Sequence, residues 1–309
     1  MHVLVTGATG FVGGRLVPAL LEAGHEVRAT TRSPADYDPP AGVEVVGGDL
    51  LDADSLEGVF ADVDLAYYLV HSMGGGGGFA ERERRSARTF ATAASAAGVD
   101  RVVYLGGLGE EGDELSEHLR SRREVESILA EGDYDLTTLR AAIIVGAGSA
   151  SFETVVQLVS RLPVMVTPKW VQTPCQPIAI DDVVAYLVGV LEEPATAGDT
   201  FEIGGPEVLS YGEMLRRTAR AMGRRPPTIV PVPVLTPRLS SYWVDLVTDV
   251  DFEVARELIE GLRNPVVVRD HRIEDLVPVE LTDFDTAVRR AVGATAGGES
   301  PERAAPEAG

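Results

Sequence analysis

Three glycines near the start of the chain have the spacing of a loop that binds phosphate groups. They fall in the stretch VLVTGATGFVGGRLVPALL, between an apolar strand and an amphipathic helix. Glycine lets the backbone turn tightly and approach a pyrophosphate, and the first N–H groups of the helix favour negative charge. A structural turn is the alternative, but the place at the first strand–helix junction favours dinucleotide binding. The predicted contacts in this loop are Gly7, Thr9, Gly10, Phe11, Val12 and Gly13.

A guanidinium follows the second predicted strand, some twenty residues further on. A carboxylate at this point would bind the ribose 2′-hydroxyl of NAD, whereas the sequence reads Thr30-Thr31-Arg32-Ser33. Arginine is always charged and donates two parallel hydrogen bonds, which suits a 2′-phosphate. We therefore predict NADP as the cofactor, with Thr31 and Arg32 beside that phosphate. NAD is the alternative, and Arg32 is then a solvated loop residue.

Two histidines are the candidates for proton transfer. His118 and Arg122 are four residues apart, so that both lie on one face of a predicted helix. Imidazole titrates near neutral pH and Arg122 would anchor a ribose or a phosphate, although a nearby arginine disfavours the imidazolium. The alternative is an exposed, charged helix start. His71 is the second candidate, because it follows a strand at the edge of the sheet where ligands bind.

The sequence does not indicate other common site chemistries. Cys175 stands alone, so that no internal disulfide can form, and a lone cysteine is more often a small buried hydrophobe than a nucleophile. No cluster of His, Cys, Asp and Glu has the spacing of metal ligands, and we predict no metal. A Gly-x-Ser-x-Gly nucleophile turn is not found either.

The elements that would position these residues alternate between strands and helices up to about residue 145. β-branched runs and stretches with apolar residues at helical spacing indicate a parallel sheet covered on both faces. The predicted strands are His2–Thr6, His25–Thr31, Val43–Val46, Leu65–Val70, Arg101–Leu105 and Asp135–Arg140. The predicted helices are Gly13–Ala23, Ser55–Phe60, Ala80–Ala97 and Ser116–Ala130, and Gly24, Gly98 and Gly132 are the predicted left-handed caps of three of them. The fold class is therefore α/β, a Rossmann-type doubly wound parallel sheet.

From about residue 149 the alternation gives way to helices, short strands and proline-rich turns. This composition indicates a smaller C-terminal lobe on the substrate side of the sheet. Its predicted helices are Phe152–Leu162, Asp181–Glu192, Tyr211–Met222 and Phe252–Leu262. The last stretch is small, charged and proline-containing, which favours disorder. We predict an NAD(P)-binding domain over 1–148, a substrate-side lobe over 149–293 packed on the sheet, and a disordered tail over 294–309.

Charge limits the partners of the chain. Its 48 acidic and 27 basic residues give a net charge of −21, and such a surface repels nucleic acid. A single lysine, Lys169, among many arginines suits a surface in concentrated salt, so a halophilic source is one interpretation and simple solubility is the other. We see no signal peptide and no apolar run of about 20 residues, and therefore expect a cytoplasmic protein without a transmembrane segment. The charge does not decide between a protein partner and a homo-oligomer, and both stay alternatives.

The GxxGxxG spacing resembles that of the extended and atypical short-chain dehydrogenase/reductase families. Four further stretches look like one group of atypical members, described as NAD(P)-binding, NmrA-like or complex-I-accessory-like proteins. These stretches read YYLVHSMGGGG, ARTFATAASAAGVDRVVYLGGLG, TPKWVQTPCQPIAIDDVVAYL and LSSYWVDLVT. The resemblance covers nearly all of the chain and specifies the cofactor class better than the reaction.

The resemblance implies further cofactor contacts. Asp49 and Leu50 would lie against the adenine, and Leu69, Val70 and His71 would border the ribose and the nicotinamide. For Asp49, a turn or a helix cap is an equally good interpretation.

The resemblance also shows which catalytic residues are missing. Active members of the superfamily carry a Tyr-x-x-x-Lys pair on the helix after the fifth strand and a serine at the end of that strand. This chain has His118 and Arg122 in place of the pair, and Gly106-Gly107 at the strand end. Hydride transfer to a quinone or another activated acceptor does not require a protein acid, because water can supply the proton.

In the second lobe, KWVQTPCQPIAIDDV resembles the stretch that lines the substrate pocket of extended members. Its candidate ligand-facing residues are Trp170, Gln172, Thr173 and Gln176, with ordinary packing as the alternative. Asp181 and Asp182 are predicted to be an N-cap and a dipole partner of the next helix. The stretch LTPRLSSYWVDLVT has an apolar helical side that would cover a substrate or a partner, or pack in the core.

These observations predict an NADP(H)-binding atypical reductase that transfers hydride to a small or lipophilic carbonyl or a quinone-like acceptor. A non-catalytic redox sensor or an assembly or accessory protein is the alternative that the missing residues favour. A sugar-nucleotide epimerase or dehydratase fits the fold but requires the missing tyrosine.

Overall fold

A computed structural model describes residues 1–71, 78–109, 117–232 and 264–296 of the chain. Its strands are β1 (His2–Thr6), β2 (Glu26–Thr31), β3 (Glu44–Gly47), β4 (Leu65–Tyr68), β5 (Arg101–Gly107), β6 (Asp135–Ala141), β7 (Ile144–Val145), β8 (Val164–Pro168), β9 (Pro174–Cys175), β10 (Ile178–Ala179), β11 (Thr200–Ile203), β12 (Leu209–Ser210) and β13 (Thr228–Val232). Its α-helices are α1 (Gly13–Glu22), α2 (Phe79–Ala97), α3 (Glu117–Leu129), α4 (Ala150–Arg161), α5 (Ile180–Glu192), α6 (Tyr211–Ala221), α7 (Arg272–Leu276) and α8 (Phe284–Ala296).

A seven-stranded sheet forms the centre of the molecule, in the order β11-β6-β5-β4-β1-β2-β3. All its neighbouring strands are parallel. The chain runs outward from β1 to β3, returns to β4, and then runs the other way, so that the order reverses between β1 and β4. Ligands of such sheets bind at the carboxyl ends of the strands at this reversal. The predicted Rossmann-type α/β fold is confirmed.

Both faces of the sheet are covered, because successive side chains of a strand point to opposite faces. Val3 and Val5 of β1 pack with α1 and α5 in one core, and Leu4 packs with α2 and α3 in another. All three side chains are fully buried. A strand buried on both faces has a continuous apolar sequence. For this reason the sequence predicts both ends of β1 correctly.

Two local predictions are wrong. Ser55–Phe60 is not an α-helix: a short 3₁₀ helix covers Ala53–Leu56, and the chain leaves helical geometry at Glu57, with ψ 124°, before Gly58 with φ +75°. Gly24 and Gly98 are left-handed caps with φ +86° and +72°, as predicted, whereas Gly132 is not left-handed. A Cβ on Gly132 would lie 2.2 Å from the ring of Tyr134, so that a larger residue there would displace this ring.

The chain after residue 149 adds to the sheet and also builds a separate core. β11 pairs with β6 at the edge of the sheet, and α5 packs against α1. α4, α6 and α8 enclose a second group of buried apolar side chains together with β8 and β9. The predicted helix Phe252–Leu262 and the apolar stretch 235–248 lie outside the described residues, as does the tail from 297. Within the described part of the chain, no helix combines the length and apolarity needed to span a bilayer.

Candidate functional site

The loop between β1 and α1 is packed so tightly that two of its glycines have no room for a side chain. Gly7 has φ +73°, and a Cβ there would lie 2.9 Å from the backbone of Leu69 at the end of β4. A Cβ on Gly13 would lie 2.2 Å from the carbonyl oxygen of Gly7. The amide of Gly10 donates to that same carbonyl oxygen at 2.9 Å. The loop therefore folds back on itself at the carboxyl end of β1.

The start of α1 offers backbone donors at this point. Within the described residues, the amides of Phe11, Val12 and Gly13 donate to no protein acceptor, whereas those of Gly14 and Arg15 bond to the preceding turn. The first N–H groups of a helix are unpaired within the helix and carry partial positive charge. A pyrophosphate fits this donor set, because it supplies anionic acceptors that approach a backbone without side chains.

A cavity of 380 Å³ opens beside the loop, at the carboxyl ends of β1, β4, β5 and β6. Its walls are mostly apolar. Residues that line it include Phe11, Leu69, Leu105, Leu108, Leu119, Ile143 and Val266. His71 and Arg122 also line it, as does Tyr211 at the start of α6. The cavity thus joins a backbone anion site to an apolar space with few polar side chains.

Arg15 ties the loop to the segment that follows β7. Its guanidinium donates to the carbonyl oxygen of Phe11 at 2.7 Å and to that of Ala147 at 2.6 Å. The same guanidinium lies 4.6 Å from the centre of the Phe11 ring. Burial lowers the pKa of Arg15, and the charge of Asp181 acts in the opposite direction. One side chain therefore holds the glycine loop and the segment after β7 together.

Arg32 and Thr31 lie at the end of β2, beside the glycine loop. The register of the sheet pairs Thr6 with Thr30, so that the next residues of both strands emerge together. Arg32 is exposed and has no salt bridge with any described residue, while the hydroxyl of Thr31 accepts from the amide of Ser33 at 3.3 Å. A guanidinium in this place is available to an anion next to the loop. Its assignment to a 2′-phosphate stays a prediction.

Several other predicted cofactor contacts do not line the cavity. Asp49 forms a turn, in which its Oδ1 accepts from the amide of Leu51 at 2.9 Å. Leu50 is buried in the core beneath α2, and Val70 packs against that core. Thr9 is exposed at the tip of the loop. For Asp49 the turn interpretation accounts for the observed hydrogen bond.

The predicted pair on α3 is only partly described. The side chain of His118 lies outside the described residues, although its backbone is helical. Arg122 is half-buried and lines the cavity. At the facing end of β5, a Cβ on Gly106 would lie 3.0 Å from the ring of Tyr104, and a Cβ on Gly107 would lie 3.1 Å from the side chain of Leu119. The catalytic roles of His118 and Arg122 stay predictions.

His71 belongs to a chain of hydrogen bonds that sequence reasoning missed. Its Nδ1 lies 2.6 Å from Oε1 of Glu83 on α2, and the hydroxyl of Ser121 on α3 donates to Oε2 of Glu83 at 2.7 Å. Burial acts to raise the pKa of Glu83, but the hydrogen bond and charge of His71, the charge of Arg122 and the hydrogen bond of Ser121 together lower it to about 2. Glu83 is therefore a buried, ionised carboxylate bonded to His71, which lines the cavity.

A sequence signal for Glu83 and Ser121 did exist. Glu83 precedes the buried Ala87 and Phe90 at helical spacing, so that it falls on the apolar stripe of α2. Ser121 likewise shares a helix face with the buried Val125. A charged residue on an apolar stripe needs a partner, which the spacing alone cannot name.

In the second lobe, the candidate Gln176 is a structural residue. Its amide nitrogen donates to the carbonyl oxygen of Gly205 at 2.7 Å, and its oxygen accepts from the amide of Val268 at 3.0 Å. Gln172 and Thr173 do not line the cavity, and the side chain of Trp170 lies outside the described residues. Cys175 is buried, and burial raises the pKa of its thiol to about 12, as expected of an inert cysteine.

Asp181 and Asp182 do not cap α5. The N-cap is Ala179, and both aspartates lie in the first turn, where the helix dipole favours them. Asp182 instead accepts from the amide and the hydroxyl of Thr282, both at 2.8 Å, and Asp181 pairs with Arg290 at 3.0 Å. The two carboxylates therefore fasten α8 and the segment before it to α5.

Comparison with known proteins shows a similarity to NAD(P)H-binding proteins. A family pattern described as NAD(P)H-binding matches residues 7–194. A 3-beta-hydroxysteroid dehydrogenase of Mycolicibacterium neoaurum is 35% identical over 113 residues, 33% of this chain and 31% of that protein. The matched part therefore spans less than a third of that relative's length. A ceramide reductase of Caulobacter vibrioides is 29% identical over 233 residues, 72% of this chain and 71% of that protein.

Two further matches are proteins of other kinds. A mitochondrial NADH dehydrogenase (ubiquinone) 1 alpha subcomplex subunit 9 of Arabidopsis thaliana is 25% identical over 223 residues, 68% of this chain and 55% of that protein. A solved nucleoside-diphosphate-sugar epimerase of Staphylococcus aureus superposes with a TM-score of 0.75 over 94% of this chain and 100% of that chain, at 15% identity. The structural match concerns the fold alone.

Proposed function

The chain belongs to the NAD(P)H-binding family, and from this premise we propose that it is an NADP(H)-dependent reductase that transfers hydride to a lipophilic carbonyl or quinone-like acceptor. The observation that carries the proposal is the apolar cavity that opens directly beside the glycine loop. An anion-binding turn and an apolar space in one site suit a charged cofactor next to an uncharged acceptor.

The residues that would hold the cofactor are those of the loop. The amides of Phe11, Val12 and Gly13 would bind the pyrophosphate, and Gly7 and Gly13 would allow its approach. When bound, the reduced nicotinamide supplies the hydride. Arg15 keeps the loop in place through the carbonyl oxygen of Phe11. The apolar wall excludes water from the reacting centre.

Arg32 supports NADP rather than NAD. A free guanidinium beside the loop binds a 2′-phosphate with charge-assisted hydrogen bonds worth about 1.5–3 kcal/mol. We expect Arg32→Ala to weaken NADPH binding about tenfold to a hundredfold and to leave NADH binding unchanged, as measured by fluorescence titration. Arg220→Ala, at an exposed site on α6, is the control. Equal losses for both nucleotides would remove the NADP assignment.

The walls of the cavity and the named relatives support a lipophilic acceptor. Leucine, isoleucine and valine side chains surround the space next to Gly106 and Gly107. A ceramide reductase and a steroid dehydrogenase are among the similar proteins, and both names indicate lipophilic substrates. Burial of apolar area contributes about 25 cal/mol per Å², so apolar acceptors gain most from this site.

The test is NADPH oxidation with a panel of acceptors. We expect turnover with lipophilic quinones, enones or ketones, and little with sugar nucleotides, followed by mass-spectrometric detection of a product two hydrogens heavier. Cofactor binding is measured separately by calorimetry. Tight NADPH binding without turnover of any acceptor would contradict the reductase proposal.

A second candidate is a non-catalytic redox sensor or accessory protein. Gly106-Gly107 stands where active short-chain enzymes carry serine, and a complex I subunit is among the similar proteins. This candidate predicts that pull-down from native extract recovers different partners with and without NADPH. An identical set of partners in both conditions would count against it.

A further inference from the structure

Arg122 is a charged side chain in a mostly apolar cavity. It lies half-buried on α3, and Leu105, Leu108 and Leu119 line the same space. In the described part of the chain no carboxylate forms a salt bridge with it. A guanidinium partly withdrawn from water without a carboxylate partner carries a desolvation cost, so that its position in the cavity points to an anionic or electron-rich ligand.

The carboxylate that could neutralise Arg122 is already engaged. Glu83 lies near enough for the charge of Arg122 to help lower its pKa, yet its two oxygens are bound by His71 at 2.6 Å and by Ser121 at 2.7 Å. The other polar neighbours are the hydroxyls of Tyr68 and Tyr104, whose pKa values burial raises. Both phenols therefore stay neutral, and Arg122 keeps hydrogen-bonding capacity for a ligand.

The chemistry of guanidinium limits what Arg122 can do. It donates hydrogen bonds to an oxygen and stabilises negative charge on it, but it does not release a proton in a protein. A donor of this kind acts like an oxyanion hole, which stabilises charge that develops during the reaction. It helps only an acceptor whose product anion persists until water protonates it.

Resting on the proposed reductase function, we propose that Arg122 binds the carbonyl oxygen of the acceptor and restricts turnover to conjugated carbonyls, namely quinones and enones. The hydride brings two electrons to the conjugated system and forms a new bond to hydrogen there. The displaced π electrons move onto the carbonyl oxygen, and the resulting hydroquinone monoanion or enolate lies against the guanidinium. Water then supplies one proton. An isolated ketone would form an alkoxide, which is far more basic and requires a protein acid.

The first test needs neither cofactor nor turnover. 4-Nitrophenol resembles the anionic product, and its absorption reports its ionisation. We expect the wild-type protein to bind the phenolate in preference to the phenol and to shift its titration to lower pH. Arg122→Met should weaken phenolate binding about tenfold or more, and Arg122→Lys should keep part of the effect.

Controls separate this role from folding and from cofactor binding. Arg120→Met changes an exposed arginine of the same helix and should leave the titration as in wild type. Thermal melting shows whether each variant is folded. An unshifted nitrophenol titration in the wild type, or an unchanged shift in folded Arg122→Met, would overturn the proposal. So would a loss of NADPH affinity in Arg122→Met with nitrophenol binding intact, since Arg122 would then serve the cofactor.

The second test compares matched acceptors. We expect NADPH oxidation with 1,4-naphthoquinone and 2-cyclohexenone, and a rate with cyclohexanone that is lower by about a hundredfold or more, a difference of about 2.7 kcal/mol in barrier. Similar rates for cyclohexenone and cyclohexanone would overturn the inference but leave the reductase proposal intact. No turnover of any acceptor would instead contradict the reductase proposal, while the nitrophenol titration still decides the role of Arg122.

Discussion

At the scale of single residues, the glycine loop illustrates how one missing Cβ permits a binding site. Gly13 and Gly14 are adjacent at the start of α1, but a Cβ on Gly13 would lie 2.2 Å from the oxygen of Gly7, whereas one on Gly14 would lie 3.7 Å from the nearest oxygen. Only the first substitution forces the loop to move. The two positions therefore form a matched pair for experiment.

We expect Gly13→Ala to destabilise the protein by about 1–3 kcal/mol and to weaken NADPH binding at least tenfold, because overpacking displaces the loop amides. Gly14→Ala should leave binding unchanged and stabilise the helix by up to about 1 kcal/mol. Urea unfolding and fluorescence titration measure the two effects. Equal NADPH affinity in both variants would show that the loop does not form the nucleotide site.

Glu83 makes stability depend on pH in a defined direction. Its pKa in the folded protein is about 2, below the ordinary value of 4.5, so its ionised form stabilises the fold above about pH 4.5 and this contribution is lost as the pH falls towards 2. Glu83→Gln should therefore be less stable than wild type at neutral pH. The difference should shrink by about 1 kcal/mol between about pH 5.5 and about pH 3.5.

Urea unfolding at several pH values measures this difference. Glu81→Gln, an exposed carboxylate on the same helix, should change stability by only a few tenths of a kcal/mol throughout. A gap between wild type and Glu83→Gln that stays constant as the pH falls would mean that the carboxylate is not held in its ionised form.

At the scale of elements, the strands of the sheet were predictable from the sequence, whereas the packing of one helix against another was not. β1 was predicted to the residue because a strand buried on both faces is a continuous apolar run, and β5 and β6 were predicted to within two residues. The glycine loop followed from its place after β1. Glu83 and Ser121, by contrast, are 38 positions apart and meet only because α2 packs on α3. No local pattern carries that information.

Neither the wrong helix at Ser55–Phe60 nor the role of Gln176 could be decided from local spacing. Apolar spacing over six residues fits one helical turn as well as a longer helix, and the backbone leaves helical geometry at Glu57. Gln176 was a candidate for a ligand contact, with ordinary packing as the alternative, and its two hydrogen bonds to backbone segments remote in sequence favour the structural role. The predicted family and fold are confirmed, whereas individual side-chain roles depended on tertiary contacts.

Arg15 allows the coupling between two loops to be tested. It holds the β1–α1 loop and the segment after β7 through two carbonyl oxygens. We expect Arg15→Met to weaken NADPH binding about tenfold, since the loop loses its fixed position, with a modest loss of stability. Isothermal calorimetry measures the affinity.

Arg224→Met is the matched control for Arg15. Arg224 also donates to a backbone carbonyl oxygen, that of Ser160, at 2.9 Å, but it does not line the cavity. Its substitution should affect stability alone. If both variants bind NADPH as the wild type does, the link between the loops has no role in forming the site.

At the scale of the whole molecule, the chain carries a large excess of negative charge, and part of this charge is concentrated in one groove. The net charge is −21, and a groove of 1140 Å³ between α5 and the segment after α7 is lined by Asp181, Glu192, Glu193, Glu280 and Asp283. Exposed ion pairs such as Arg290 with Asp181 contribute little each. We therefore expect that, when salt screens both, the relief of repulsion among 48 acidic residues outweighs the loss of attraction in the ion pairs.

This balance predicts that salt stabilises the fold. We expect the melting temperature to rise by several degrees between about 0.05 M and about 1 M KCl, because the screening length falls from about 14 Å to about 3 Å. Screening acts mostly at the lower concentrations, so most of the rise should occur below about 0.5 M. Stabilisation by exclusion of the salt from the surface would instead increase steadily with concentration. Calorimetry in KCl, with sucrose as an uncharged comparison, separates screening from exclusion. A melting temperature that falls with KCl would show that the attraction in the ion pairs outweighs the repulsion.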